Sequence, residues 1–192
     1  MQDQAKKYYT VADYLDSEEH SLHKNEYYQG AVYPMSGASA NHHRIVKNLT
    51  ISLGTYLFSR ECELFMNDLK IWVKKRELFT YPDIAVVCGT PQFYPDSDDT
   101  ITNPMIIVDV LSESTQNYDR GEKFVLYRSL PSFKEYILID QYEQHVEQFV
   151  KNPAGKWILT AYDNWDDILK FSALDFQITL KEIYHKVEFK TA

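Results

Sequence analysis

Apolar positions along this chain recur at different periods, and each period predicts a different element. Between about Ala40 and Ser59, the residues Val46, Leu49, Leu53, Tyr56 and Leu57 share one face at helical spacing, and Gly54 interrupts that helix without ending it. A shorter helix starts at the capping signature Thr10-Val11-Ala12-Asp13 and runs to about Asp16. Asn117 to about Leu130 forms another helix, stopped by Pro131. Glu26 to Met35 reads as a tight hairpin turning at Gly30. Alternation over Glu143 to Val150 predicts a strand that pairs with Lys156 to Tyr162 across Asn152-Pro153-Ala154-Gly155. Glu63 to Met66, Leu69 to Lys75, Phe133 to Asp140 and Phe176 to Thr179 are further strands, the last leading into a short terminal helix. The loop from Gly89 to Pro104 holds the acidic stretch Asp96-Ser97-Asp98-Asp99, which lacks the Gly and terminal Glu of a calcium loop and reads as solvated.

Two segments show no alternation at all. Tyr81-Pro82-Asp83-Ile84-Ala85-Val86-Val87 and Ile106-Ile107-Val108-Asp109-Val110-Leu111-Ser112 are continuous apolar runs rich in β-branched residues, the pattern of strands buried on both faces. Each carries one carboxylate. An Asp in such a run is costly to bury unless a cation or strong donors meet it. Two of them on strands lying side by side suggest a divalent metal site. The element order gives an α/β sandwich with a mixed sheet and hairpins at both ends, expected as one domain over residues 1–192.

Composition narrows the classes. With 44% hydrophobic and 15% aromatic residues, disorder is excluded. A net charge of -8 argues against a non-specific nucleic-acid coat, yet leaves room for an enzyme whose metal ions meet the phosphate. Cys62 and Cys88 show neither C-x-x-C spacing nor a disulfide framework, which fits a reducing compartment. The start, Met1-Gln2-Asp3-Gln4-Ala5-Lys6-Lys7, lacks the apolar core of a signal peptide. No apolar stretch approaches the roughly 18 residues of a membrane span. A cytoplasmic protein without membrane partners is expected.

The chemistry that suits two carboxylates is metal-assisted hydrolysis. Cleaving a phosphodiester needs an activated water, neutralisation of developing charge and help for the leaving oxygen; a carboxylate-bound Mg²⁺ supplies these, and a nearby lysine adds positive charge. Lys123 shares a helix face with Tyr127 and Leu130, which turns it toward the sheet. Plainer readings stand beside each residue. Asp83, after Pro82, fits a strand end, and Lys123 fits a surface pair with Asp119 four residues earlier. His42-His43 fits a solvated helix terminus and Glu26 an ordinary exposed strand position. Asp109, in mid-strand, is the hardest to read as structural. Ser112 has no G-x-S-x-G elbow, and neither a Gly-rich phosphate loop nor zinc spacing is present.

Several of these pieces together resemble the Uma2 family, also called domain of unknown function 820, within the PD-(D/E)XK restriction-endonuclease-like superfamily. The matching pieces are Tyr9 to Leu15, Glu26 to Gly30, His42 to Val46, Tyr81 to Val87, Val108 to Ser112, and Tyr118 to Lys123 followed by Tyr127. The resemblance spans about Tyr9 to Leu180. It implies a restriction-endonuclease-like αβββαβ core with a mixed central sheet, flanking helices and extra β-hairpins. It also implies a Mg²⁺- or Mn²⁺-dependent endonuclease acting on DNA, with Asp83 as the PD aspartate, Asp109 as the second acid and Lys123 as a lysine moved onto the following helix. Glu26 matches an early acidic position, which makes Asp83, Asp109 and Glu26 the metal ligands, and His42 matches the family histidine. Asp109 stands where the family usually carries Glu, shorter by about one C–C bond, roughly 1.5 Å. Leu111 stands where the superfamily usually has its lysine. The alternative is a catalytically weak or inactive nuclease-fold protein that binds nucleic acid or a protein partner. Arg44, Lys47, Arg120 and Lys123 are the expected basic patch, and the Glu143 to Tyr162 hairpin is an expected homodimer surface.

Overall fold

In a computed structural model of the chain, residues 8–189 are described; the segment read above for a signal peptide lies outside them. Among the described residues, thirteen strands form three sheets. The first strands are β1 (Asn25–Tyr28), β2 (Ala31–Pro34), β3 (Cys62–Met66), β4 (Lys70–Val73) and β5 (Leu78–Thr80). Then come β6 (Ile84–Cys88), β7 (Thr100–Ile101), β8 (Ile106–Leu111) and β9 (Glu135–Asp140), followed by β10 (Val146–Lys151), β11 (Trp157–Tyr162), β12 (Ile168–Phe171) and β13 (Phe176–Thr179). The larger sheet has the order β11-β10-β9-β8-β6-β3, the smaller one β2-β1-β5-β4-β7, and β12 pairs with β13.

The helices are α1 (Val11–Glu19), α2 (Ala40–Leu57), α3 (Gln116–Tyr118), α4 (Phe124–Tyr127) and α5 (Leu180–Ile183), with a π-helical turn, Asp119–Lys123, joining α3 to α4. Read as α2, β3, β6, β8, the α3–α4 helix and β9, the larger sheet is the expected αβββαβ core. Its ladder is mixed: β6 runs antiparallel to β3 and β8, whereas β8 and β9 are parallel across the helical crossover. No helix among the described residues is long and apolar enough to cross a membrane.

Side-chain parity divides the core. Ile84, Val86, Ile106, Val108, Ile137 and Ile139 point to one face, where the apolar side of α2 (Ile45, Leu49, Leu53, Leu57) covers them. Ala85, Val87, Ile107, Leu111, Tyr136 and Leu138 point to the other, where Phe124, Leu126, Tyr127 and Leu130 pack. Both faces are dry, which is why β6 and β8 read as unbroken apolar runs.

Several details depart from the sequence reading. Helix α1 continues three residues beyond Asp16 because Glu18 is anchored, accepting from the Asn25 N–H at 2.7 Å and from the Tyr81 hydroxyl at 2.9 Å. Strands β5, β7 and β12 were not foreseen; each is four residues or fewer, too short to show a period. The acidic stretch is not wholly solvated, because Asp99 pairs with the buried ammonium of Lys70. Cys62 and Cys88 form a disulfide, contrary to the reading that no such framework exists. Strand register sets them opposite each other across the β3–β6 ladder, and register leaves no mark on their spacing in the chain.

Candidate active site

The two carboxylates meet because of register and parity. Ile84 faces Val108 across the β6–β8 ladder, so Asp83 and Asp109 lie at the next step. Both have the parity of Ala85 and Ile107, toward the helical crossover. Asp83 itself precedes β6, in the short passage where the chain leaves the smaller sheet for the larger one. The pair is cross-tied: the Val110 N–H donates to Asp83 Oδ2 at 2.7 Å, and the Asp83 N–H donates to Asp109 Oδ1 at 3.4 Å.

Lys123, from the π-helical turn, completes the cluster. Its Nζ lies 3.2 Å from Asp109 Oδ2, 3.4 Å from Asp119 Oδ1 and 3.7 Å from Glu26 Oε1. A π-helical turn adds a residue to the helix and is frequent at functional sites. Glu26 arrives from β1, with its Oε1 also accepting from the Thr80 hydroxyl and, at 3.4 Å, from the Tyr81 N–H. His42, in the first turn of α2, places Nε2 2.8 Å from Asp83 Oδ1. Ser39 caps that helix through the His42 N–H and also donates to Gln141, which ties the helix start to the end of β9.

These residues line one cavity of about 620 Å³ at the seam of the two larger sheets. Burial pushes the Asp109 carboxyl up to about 6, against the opposing pull of Lys123. Burial also works against the charge on Lys123, but Asp109, Tyr127, Glu26 and Asp119 outweigh it and hold its pKa well above the usual lysine range. The ammonium is therefore a fixed charge at neutral pH.

The donor set is made of hard oxygens, the kind that Mg²⁺ and Mn²⁺ prefer. Among the described residues, no three His, Cys, Asp or Glu side chains converge into a metal cage. Mg²⁺ does not require one, since it commonly takes one or two protein carboxylates and keeps several waters. Asp83 and Asp109, tied together at the cavity wall, fit that requirement, and Glu26 contributes a third carboxylate nearby.

All five sequence candidates are thus brought together: Asp83, Asp109, Glu26, Lys123 and His42. The surface-pair reading of Lys123 and the solvated reading of His42 do not hold; Lys123 is only 6% exposed, and its pair with Asp119 is buried. Two members of the expected basic patch are turned to other partners. Lys123 faces inward, and Arg120 is engaged by Glu147 at 2.9 Å and by Asp140 at 3.8 Å. Tyr136 went unnoticed in the sequence. Its hydroxyl donates to Asp109 Oδ2 at 2.6 Å. It lies two residues along β9 from Leu138, the partner of Asp109, a relation set by strand register that the sequence does not display.

A mixed sheet with this crossover, carrying two carboxylates and a helix lysine at one seam, defines a nuclease-like fold. The chain belongs to the Uma2 family, whose model, described as "Putative restriction endonuclease", matches residues 11–181. It is 38% identical over 166 residues to the uncharacterised protein sll1609 of Synechocystis sp. (strain ATCC 27184 / PCC 6803 / Kazusa), covering 86% of this chain and 94% of that protein. A second protein of that organism, the uncharacterised slr1290, is 33% identical over 177 residues, with 92% of each covered. A crystal structure described as "a putative nuclease belonging to DUF820", from Anabaena variabilis ATCC 29413, matches with a TM-score of 0.73 at 16% identity. It covers 92% of this chain and 97% of that one, and shows a shared fold.

Proposed function

We propose that this protein is a metal-dependent endonuclease that hydrolyses phosphodiester bonds in DNA. The observation that carries the reading is Lys123 Nζ at 3.2 Å from Asp109 Oδ2. A buried lysine aimed at a carboxylate pair has little structural purpose, because apolar residues in place of the whole charged cluster, lysine and carboxylates together, would commonly fill the same space at no loss of stability.

In this reading Asp83 and Asp109, with Glu26, hold Mg²⁺ or Mn²⁺, which when bound supplies Lewis acidity toward the phosphate and an activated water. The residues of the chain do the rest. Lys123 keeps a positive charge at the cavity wall, toward the charge that develops on the phosphoryl oxygens. His42 holds Asp83 Oδ1 and so fixes the rotamer of that carboxylate. Tyr136 holds Asp109 Oδ2, which leaves the opposite oxygen toward Asp83. The reading further includes a two-fold homodimer through β10 and β11; β11 ends the larger sheet with Ile158 and Leu159 about half exposed.

A second reading has its own support. Tyr136, Lys123 and the Asp83 N–H already occupy the Asp109 carboxylate, and Asp109 is the shorter acid. These favour a nuclease-fold protein of weak or no activity that binds nucleic acid or a partner. Calorimetry with Mg²⁺ and Mn²⁺ on wild type and on Asp83→Asn/Asp109→Asn, followed by DNA cleavage assays, separates the two. The nuclease reading expects binding and metal-dependent cleavage that the double variant loses. It also expects Lys123→Met, if folded, to lower kcat about 10²- to 10³-fold. DNA binding by a folded wild type that cleaves nothing with either metal selects the second reading.

A further inference from the structure

Five tyrosines line the cavity: Tyr28, Tyr33, Tyr81, Tyr118 and Tyr142. The hydrolytic reading uses none of them. Tyr33 and Tyr142 are 45% and 47% exposed, whereas Asp109 is 4% exposed. The Tyr142 hydroxyl accepts the Glu113 N–H at 3.3 Å, which anchors the polar end of a ring that stands largely in solvent. A phosphodiester that reaches Asp109 and Lys123 therefore leaves the surface for a cavity walled in part by aromatic rings.

Charge points the same way. Glu26, Asp83, Asp109, Asp119 and Glu122 line the cavity, and Lys123, already paired, is the one lysine or arginine among its lining residues. Proteins that grip a duplex by its backbone do so with many cationic contacts to phosphate. This cavity has no such set, so affinity has to come from another part of the nucleotide. Every base offers a π-face, and aromatic side chains stack on it only when it is unpaired and accessible. Reaching a buried site inside a duplex requires extrusion of the nucleotide, at the cost of unstacking it.

We propose that the substrate is nucleic acid presented as unpaired nucleotides, and that Tyr33 and Tyr142 stack on bases beside the phosphate held in the cavity. The proposal rests on the carboxylate cluster being the hydrolytic centre. Intact duplex is then a poor ligand, and a single strand or an opened stretch is a good one.

The test measures fluorescence anisotropy of a labelled single-stranded deoxyoligonucleotide and of the same strand fully paired, each titrated with the whole protein in Ca²⁺. Hydrolysis of bis(p-nitrophenyl) phosphate by wild type in Mn²⁺ is followed in parallel. The expected result is a preference for the single strand of about tenfold or more. Tyr33→Ala/Tyr142→Ala then loses roughly fivefold to a hundredfold of single-strand affinity, while Tyr33→Phe/Tyr142→Phe retains it. Duplex bound as tightly as single strand, or a folded alanine variant with undiminished affinity, overturns the proposal. The wild-type comparison decides this even if the variants fail to fold. Hydrolysis of the small phosphodiester together with duplex preference overturns the stacking proposal alone. Tyrosine-dependent single-strand binding without any hydrolysis supports the stacking surface and overturns the nuclease reading.

Discussion

Asp109 is held by three kinds of donor, and their removal has different consequences. Tyr136→Phe keeps the ring and deletes the hydroxyl that reaches Oδ2. A buried carboxylate oxygen that loses a donor costs about 1–3 kcal/mol, to be read from urea denaturation. Lys123→Met leaves Asp109, Asp119 and Glu26 close together with no cation among them. At pH 7 the expected loss of stability is about 3–5 kcal/mol. Without the lysine the Asp109 carboxyl moves up further, so the folded form holds its proton more tightly than the unfolded chain does. The deficit must then shrink as pH falls and the carboxyl protonates; a deficit equal at pH 5 and pH 8 would count against it. His145 behaves in the opposite sense. Burial pulls its pKa down, but hydrogen bonds to Asp163 and Glu147 outweigh that and leave it above the usual 6.5. Its contribution is complete below pH 6.5 and disappears as pH rises through the folded-state value. Thermal melts of wild type and His145→Gln are therefore expected to converge as the medium is made more alkaline, and a gap that widens would refute the assignment.

The elements differ in how much sequence announces them. Helix α2 was legible because five apolar residues fall on one face over eighteen residues. Its interior Gly54 has no atom within 4 Å of an added Cβ, so Gly54→Ala is expected to raise stability by about 0.5–1 kcal/mol, measurable as a higher denaturation midpoint. Strands β6 and β8 were legible for a different reason: burial on both faces removes the alternation, and a carboxylate inside the run (Asp109) or just before it (Asp83) then stands out. The crossover helix was legible in position but not in form. Its apolar residues Tyr127 and Leu130 announce a face, whereas nothing in Asp119–Lys123 announces a π-helical turn. The site followed the same division. Asp83, Asp109 and Lys123 are anomalies within apolar patterns, so they were visible. Glu26 and His42 were ordinary in their own surroundings and entered through the family resemblance. Tyr136 is one more buried position in the apolar run of β9, where a ring is no anomaly, and its role depends on a neighbour 27 residues away.

Two dry cores flank the larger sheet, and the cavity opens where the smaller sheet meets it. The Cys62–Cys88 bridge closes a loop with a sequence separation of 26 that contains β4 and β5 of the smaller sheet and most of β6. By loop-closure entropy its removal is expected to lower stability by about 3 kcal/mol. Urea titrations with and without dithiothreitol measure it; Cys62→Ser/Cys88→Ser is expected to match the reduced wild type and to show no response to the reductant. The bridge also bears on the strand that leads from the site. Strand β6 is stapled covalently at Cys88, and at its other end the Asp83 carboxylate is bonded to the backbone of β8. A strand pinned at both ends cannot fray from either, so its amide hydrogens lose the shortcut that local opening usually provides. In deuterated water, β6 amides should exchange at the rate of whole-molecule unfolding, while reduction of the bridge should release those near Cys88 first and leave those beside Asp83 among the last to exchange.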